Sequence, residues 1–245
     1  MEQPVVVHFS PHPDDELLGA PGALFALRDA GWRVVNIACS LGRPEERERR
    51  RAELEEACRR ASFELRLETA GPRSVLAELQ PRLVVAPSPH DRHPLHEEVG
   101  RQALAAVARA GAPGRVWLWG LWGELALPSL ALELTGDRLD EIELALEAHA
   151  GELARSDLRR LVRSRADLNG VVGAERIFGF GSGGLPFRAA ELLTELALVA
   201  TRWRLCEPRV LPQGEVNLDS TPGETDLTEW LAEPSVTARF GARHR

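Results

Sequence analysis

The first half of the chain alternates between short apolar runs and longer segments in which apolar residues recur every three or four positions. Short runs rich in Val, Ile and Leu are typical of buried strands, and the longer spacing is typical of amphipathic helices. Because the connections between them are short, we predict an α/β fold with a mostly parallel, Rossmann-like sheet and helices on both faces. The predicted strands are 4–10, 32–40, 63–69, 82–88 and 115–122, and the predicted helices are 22–31, 45–61, 73–80 and 96–111.

The pattern changes after residue 122, and there we predict a mainly helical C-terminal part. Residues 138–168 have the spacing of a helix or a helix pair, and 187–204 that of another helix. Between them, 174–184 is predicted as a strand followed by a glycine-rich loop. Residues 208–245 are rich in Pro, Gly, Thr and Asp, and we predict a loosely structured extension with one short helix near Trp230. The predicted domain division is therefore 1–207 for the α/β domain and 208–245 for the extension.

Composition and charge exclude several classes of function. A net charge of −7 argues against nucleic acid or an anionic membrane as the main partner. No apolar run approaches the ~20 residues that a membrane span needs. The chain has no Lys and no Tyr, which excludes a Schiff-base lysine and a Walker-A lysine. Its three cysteines form no CxxC pair, and no basic region precedes the first apolar run, so we expect a cytoplasmic protein with reduced thiols.

Two polar segments follow predicted strands and concentrate the chemistry of the chain. They are SPHPDDE at 10–16 and PSPHDRHPLHEE at 87–98, and together they hold four of the seven histidines. The carboxyl ends of parallel strands meet at one edge of a sheet, which is where ligands bind in such folds. We therefore expect these segments to lie side by side, although about 80 residues of sequence separate them.

Histidine and carboxylate together are typical ligands of zinc or a similar divalent ion, and a catalytic zinc site needs three protein ligands and one open position. The residues alone leave the ligand set open: His12, one of Asp14 and Asp15, and one histidine of the second segment. The second aspartate is then available to take a proton from water. Each segment taken alone has a simpler interpretation, as surface histidines or as acids favoured by a helix N-terminus, but the coincidence of both at strand ends favours a site.

These segments resemble the signatures of the zinc-dependent de-N-acetylases of the PIG-L/LmbE type. The first signature, [A/P]-H-P-D-D-E, is similar to residues 11–16. The second, D-x-H-P-D-H, is similar to residues 91–96, with Leu95 in the place of the usual aspartate. Weaker similarities are ACSLG at 38–42, an R-x-x-E pair at Arg50 and Glu53, LEAHAGE at 146–152 and AERIF at 174–178, so the resemblance extends over roughly residues 4–180.

The resemblance implies a metal-dependent amide hydrolase of the N-acetylglucosaminyl deacetylase type. It implies that His12, Asp15 and His96 bind Zn²⁺, with Fe²⁺ as an alternative metal. It also implies that Asp14 is the general base for the zinc-bound water. The substrate it implies is a small-molecule N-acyl amino-sugar conjugate.

Three further residues receive roles from the same resemblance. A protonated His93 stabilises the tetrahedral oxyanion and can protonate the leaving amine, and Asp91 holds His93 in orientation. Arg50 is a candidate for contact with substrate hydroxyls or phosphate. The replacement at Leu95 puts the hydrogen-bonding support of the site in question.

Competing interpretations concern both the activity and the tryptophans. A non-catalytic metal- or sugar-binding module of the same fold is one alternative, and a nucleotide- or SAM-binding enzyme is a weaker one, because the first strand–helix turn lacks G-x-G-x-x-G and carries acids instead. Trp117, Trp119 and Trp122 are predicted mainly as core, with a sugar-stacking surface as the alternative. A Trp-rich strand and the C-terminal segment also suit a homo-oligomer.

Overall fold

The computed structural model describes residues 3–67 and 71–234. The strands are β1 (Val5–Ser10), β2 (Arg33–Ala38), β3 (Glu64–Leu67), β4 (Leu83–Pro87), β5 (Arg115–Trp119), β6 (Leu130–Glu133), β7 (Ala190–Val199), β8 (Arg202–Cys206), β9 (Arg209–Leu211) and β10 (Pro222–Asp226). The helices are α1 (Asp15–Leu18), α2 (Pro21–Asp29), α3 (Arg47–Ala61), α4 (Pro72–Leu79), α5 (Pro94–Ala110), α6 (Gly136–Leu146), α7 (Ala150–Leu153), α8 (Leu158–Phe178) and α9 (Thr228–Ala232), and a short 3₁₀ turn covers Pro44–Glu46.

The first five strands form the predicted parallel sheet, in the order β3-β2-β1-β4-β5. All five strand predictions and all four helix predictions of the first half are confirmed, with boundaries that differ by up to three residues; for the strand predicted at 63–69, residues 68–70 lie outside the described chain. The strand order reverses between β1 and β4, so the turns after these two strands open at the same sheet edge.

Alternate side chains along the central strands build two apolar clusters, one on each face of the sheet. Val6 and Val34 belong to the cluster covered by α2, α3, α6 and α8, whereas Val7 and Val35 belong to the one covered by α4, α5 and α9. This alternation follows from the two-residue period of a strand. The prediction of helices on both faces is therefore confirmed. None of the helices within 3–67 and 71–234 is long and apolar enough to cross a membrane.

The C-terminal part differs from the prediction. Residues 187–204 contain the antiparallel strands β7 and β8 and not a helix, and 174–178 end α8 and do not form a strand. The leucines, alanines and glutamates of ELLTELAL have helix-forming propensity, but this segment pairs with β5 on one side, and such tertiary pairing overrides local propensity. The expected mainly helical C-terminal part is thus wrong for residues 190–226.

Within the predicted extension, β9 pairs with β6 and β10 pairs with β8, while α9 is the short helix expected near Trp230. Residues 235–245 lie outside the described chain. The division into two domains at residue 208 stays a prediction. The pairs β6–β9 and β8–β10 connect the residues before and after this position.

A buried ion pair connects three strands in this region. Glu195 of β7 is fully buried, and its carboxylate accepts hydrogen bonds from Trp117 Nε1 on β5 at 3.0 Å and from Arg209 on β9 at 2.8 and 3.0 Å. A buried carboxylate is strongly destabilising without such partners, so Arg209 and Glu195 depend on each other.

Glu191, also on β7, lies against the first turn of α2. Its carboxylate oxygens accept the backbone N–H groups of Gly22 and Ala23 at 2.9 and 2.8 Å. Burial raises the pKa of Glu191 to about 7, although these two hydrogen bonds oppose the shift. The folded chain therefore favours the protonated carboxyl group more than the unfolded chain does.

This shift predicts that stability falls between about pH 5 and pH 8. The contribution of Glu191 is fully present below the pKa of the unfolded chain and is lost as the pH rises through about 7, with a size of up to about 3 kcal/mol. Urea unfolding at several pH values checks this by comparing the wild-type chain with Glu191→Gln. The variant is expected to lack this part of the pH dependence, whereas the exposed control Glu224→Gln keeps it. Parallel pH profiles of wild type and Glu191→Gln would contradict the shift.

Candidate active site

The two polar segments meet, as predicted, beyond the carboxyl ends of β1 and β4. The first forms a turn that leads into α1, and the second leads into α5. Helix α5 approaches β4 closely because residue 100 is glycine: a Cβ there would lie 2.3 Å from the carbonyl oxygen of Pro87. A cleft of about 540 Å³ opens above this edge, and its walls include His12, Asp14, Asp15, Arg50, His93 and Trp122.

Three of the predicted ligands present one donor atom each to a common point. His12 Nδ1 lies 3.2 Å from Asp15 Oδ2 and 3.2 Å from His96 Nε2, and the latter two atoms are 3.3 Å apart. Tetrahedral zinc with bonds of 2.0–2.1 Å needs ligand atoms about 3.3 Å from one another. The three atoms therefore fit one face of a tetrahedron around a divalent ion, and two of the residues, His12 and Asp15, line the cleft.

A second possible donor set replaces Asp15 with His93. The ring nitrogens of His12, His93 and His96 lie within 4.8 Å of one another, so this set could also hold a metal ion. It is wider than the set with Asp15, and a neutral three-histidine set lacks the anion that offsets a dication. The closer triangle therefore favours His12, Asp15 and His96, with His93 beside them.

Asp91 contacts the predicted metal ligand His96 and not, as had been expected, His93. His96 Nδ1 donates to Asp91 Oδ2 at 2.7 Å, and both side chains are buried. The prediction that Asp91 orients His93 is wrong in this structure, where His93 Nδ1 is buried and has no hydrogen-bond partner among the described residues. A carboxylate on the far nitrogen of a histidine fixes which nitrogen faces the metal, which is how such ligands are commonly oriented.

The same carboxylate also fixes the loop after β5. Asp91 Oδ1 accepts the backbone N–H groups of Leu121, Trp122 and Gly123 at 2.5, 3.1 and 3.2 Å. The replacement at Leu95 leaves this support intact, because Leu95 packs against the apolar cluster on the α5 face of the sheet.

Asp14 adopts a backbone conformation that is rare for any residue with a side chain. Its φ is 110° and its ψ is −24°, and such a conformation costs on the order of 1–3 kcal/mol. The backbone N–H of Asp14 donates to Glu16 Oε2 at 3.0 Å, and Glu16 Oε1 accepts a hydrogen bond of 2.6 Å from His149 Nε2. Glu16 and His149 are fully buried, so two buried polar contacts in series support the strained turn.

Charges in the site shift the pKa values in opposite directions. Burial lowers the pKa of His96, but the carboxylates of Asp15 and Asp91 outweigh it and raise this pKa to about 9. Burial and the proximity of Asp15 and Glu16 raise the pKa of Asp14 well above its usual range, against the effect of Arg50. Asp15 has a lowered pKa, because the two histidines of the triangle outweigh its burial. The adjacent aspartates are thus electrostatically distinct.

His93 differs from the protonated residue that was expected. Burial, then the charges of His96 and His12, lower its pKa to about 4. At neutral pH its imidazole is therefore neutral and can donate one N–H.

Arg50 lies at the cleft, but its guanidinium has a partner. Its Nε lies 3.2 Å from Glu152 Oε1, and its Nη2 donates to the carbonyl of Pro13 at 3.5 Å. Glu152, which the sequence analysis passed over, follows the histidine of the LEAHAGE similarity by three residues. That short spacing from His149 is the signal that could have identified it.

The remaining histidines lie apart from the ligand triangle. His8 is buried within β1 and its Nδ1 lies 2.8 Å from Asn36 Oδ1, as expected for a core residue. His90 donates to the carbonyl of Trp230 at 2.9 Å. His244 lies outside the described residues.

Comparison with known proteins confirms the family resemblance. Residues 7–70 match the family model PIG-L, described as GlcNAc-PI de-N-acetylase. This segment contains the first signature and ends before the second. No curated protein matches the chain.

Solved structures share the fold at low sequence identity. N,N'-diacetylchitobiose deacetylase from Pyrococcus horikoshii has a TM-score of 0.58 and 21% identity, over 79% of this chain and 84% of that chain. The zinc-inhibited form of teicoplanin deacetylase Orf2 has a TM-score of 0.58 and 16% identity, over 79% and 98%. The hydratase GalB from Pseudomonas putida KT2440, which acts on 4-carboxy-2-hydroxymuconate, has a TM-score of 0.63 and 19% identity, over 79% and 96%. The chain thus has an LmbE-like fold, which is shared by these two deacetylases and this hydratase.

The contact between Asp91 and His96 predicts that Asp91→Asn weakens metal binding about 10- to 100-fold. The amide would place an N–H₂ group opposite the N–H of His96 while its oxygen still accepts from the loop. Competition with a chelator for Zn²⁺ measures the change, and the exposed Asp137→Asn serves as the matched control. Unchanged zinc affinity in Asp91→Asn would contradict the contact described here.

Proposed function

We propose that the chain is a metal-dependent amide hydrolase that removes an N-acetyl or other N-acyl group from an amino-sugar conjugate. The observation that carries the proposal is the ligand triangle of His12, Asp15 and His96, with spacing suited to a tetrahedral ion and Asp14 beside it. Zinc is the proposed metal, with Fe²⁺ as the alternative. The family match and the deacetylases of the same fold support this reaction class.

A zinc ion held by the triangle supplies a Lewis acid that polarises the amide carbonyl and lowers the pKa of water towards about 7. Asp14 accepts the proton of the attacking water. A carboxylate with a raised pKa suits this task, because a general base works best when its pKa lies near the operating pH.

His93 stabilises the negative charge that develops on the carbonyl oxygen. Its ring lies edge-on to His12, with the ring centres 4.8 Å apart, at the cleft side of the triangle. In its neutral form it donates an N–H hydrogen bond but does not act as a general acid. The leaving nitrogen therefore receives the proton that Asp14 took from water, as the C–N bond breaks. Preorganised donors of this kind stabilise such charge strongly in a site that excludes water.

Arg50 is still proposed to bind substrate, but with fewer of its guanidinium nitrogens. Because its Nε is buried and lies 3.2 Å from Glu152 Oε1 without a hydrogen bond, only the rest of the guanidinium is available for substrate hydroxyls or phosphate. The cytoplasmic location and the homo-oligomer stay predictions.

The alternatives differ in what they require of the cleft. A non-catalytic binding module would keep the metal and lack turnover. A nucleotide-binding enzyme needs backbone N–H groups at the turn after β1, where this chain places Asp14 and Asp15. The hydratase of the same fold shows that the fold alone does not decide the reaction.

The first test is metal content together with acetate release from a panel of N-acetylglucosaminides. We expect about one zinc per chain and release of acetate with formation of a free amine. Absence of bound metal after reconstitution would contradict the proposal, and metal without turnover of any N-acyl amino sugar would favour the binding module.

Variants separate the roles of the two adjacent aspartates. Asp14→Asn is expected to lower kcat by about 10²- to 10⁴-fold while zinc is retained, because general base catalysis is lost. Asp15→Ala is expected to lose the metal itself. Asp137→Asn is the matched control, and zinc content is measured beside kcat for each. Loss of zinc in Asp14→Asn, or its retention in Asp15→Ala, would reverse the assignment.

A further inference from the structure

Trp122, in the loop after β5, differs in solvent exposure from Trp117 and Trp119 of that strand. Trp117 and Trp119 are fully buried in the core, as predicted. The same prediction is wrong for Trp122, which is 58% exposed. Exposure of a large aromatic ring to water is unfavourable, and a single ring of this kind inside a cleft indicates a surface for a ligand.

The ring of Trp122 lies next to His93 in the catalytic cleft. Their ring centres are 6.4 Å apart and their planes are inclined by 33°. Among the described rings, Trp122 contacts His93 and not His12 or His96. It is therefore placed one ring further from the ligand triangle than His93.

Trp122 also lines a second, smaller cleft of about 190 Å³. Leu121 and Trp122 belong to the walls of both clefts, and the smaller one continues over Leu125, Leu168 and Arg92. The indole thus lies on the wall that the two clefts share.

The backbone that carries this ring is fixed. The N–H of Trp122 and those of both its neighbours are held by Asp91 Oδ1, and a Cβ at Gly123 would lie 3.1 Å from the carbonyl oxygen of His90. A ring presented by a fixed backbone loses little conformational entropy when a ligand binds. Because Asp91 also orients His96, the ring has a defined position relative to the ligand triangle.

We propose that Trp122 determines specificity by stacking against a second ring of the conjugate, the ring attached to the acylated sugar. The inference rests on the proposed function and deepens it. The C–H groups on one face of a pyranose, or the face of an aromatic aglycone, pack against the π-face of an indole. The chain would then prefer conjugates of at least two rings over a free N-acetylated monosaccharide.

The test compares N-acetylglucosamine with its phenyl β-glycoside in wild type, Trp122→Ala and Trp122→Phe. In Trp122→Ala, KM for the phenyl glycoside is expected to rise about 10- to 100-fold more than KM for the monosaccharide. Trp122→Phe keeps an aromatic face and is expected to restore most of the preference. The control is Phe180→Ala, since Phe180 is 98% exposed and lies outside both clefts.

Calorimetric binding of the amine product, phenyl β-glucosaminide, gives a readout that needs no turnover. Its Kd is expected to rise by a similar factor in Trp122→Ala and to change little in Trp122→Phe. Equal changes for both substrates, or an unchanged Kd in Trp122→Ala, would overturn the stacking role. Equal losses in Trp122→Ala and Trp122→Phe together with lost zinc would show a purely structural role. Wild type that binds the product but hydrolyses neither substrate would contradict the proposed function and leave the binding result to decide the role of Trp122.

Discussion

The Asp91 carboxylate is the contact on which the rest of the site depends. One of its oxygens fixes the orientation of His96 and the other holds three consecutive backbone N–H groups of the loop after β5. A carboxylate can serve both because each oxygen accepts more than one hydrogen bond. The proposed metal ligand on α5, His96, and the cleft wall formed by Trp122 are thereby fixed relative to one group. Burial of Asp91 is tolerable because both carboxylate oxygens accept hydrogen bonds.

The adjacent aspartates show how a fold separates two chemically identical groups. Two histidines outweigh burial and lower the pKa of Asp15, whereas burial and the charges of Asp15 and Glu16 raise the pKa of Asp14. Asp14 also has a backbone φ of 110°, and its N–H lies in the buried contacts of Glu16 and His149. Local strain is thus offset by hydrogen bonds that lie away from the cleft, a distribution typical of functional sites.

The parallel half of the fold and the meeting of the two polar segments were predictable because period, turn chemistry and strand ends all indicate the same architecture. The partner of Asp91 was not, since His93 and His96 are both near it in sequence and only the direction of the α5 N-terminus decides between them. Nor was the strand character of β7, where Leu, Ala and Glu favour a helix and pairing with β5 prevails. Trp122 could not be told from Trp117 and Trp119 because side-chain exposure at a strand end depends on the loop that follows.

The ion pair between Glu195 and Arg209 gives the C-terminal segment a role in neutralising a buried charge of the preceding α/β part. Glu195 also receives a hydrogen bond from Trp117 on β5, a strand of the parallel sheet, while its counter-charge comes from beyond residue 207. The α/β part therefore does not carry all the cations that its own core requires. If the C-terminal segment were exchanged with that of another protein of this fold, the new segment would have to supply a cation in the place of Arg209. Otherwise Glu195 would have to be replaced by an uncharged residue.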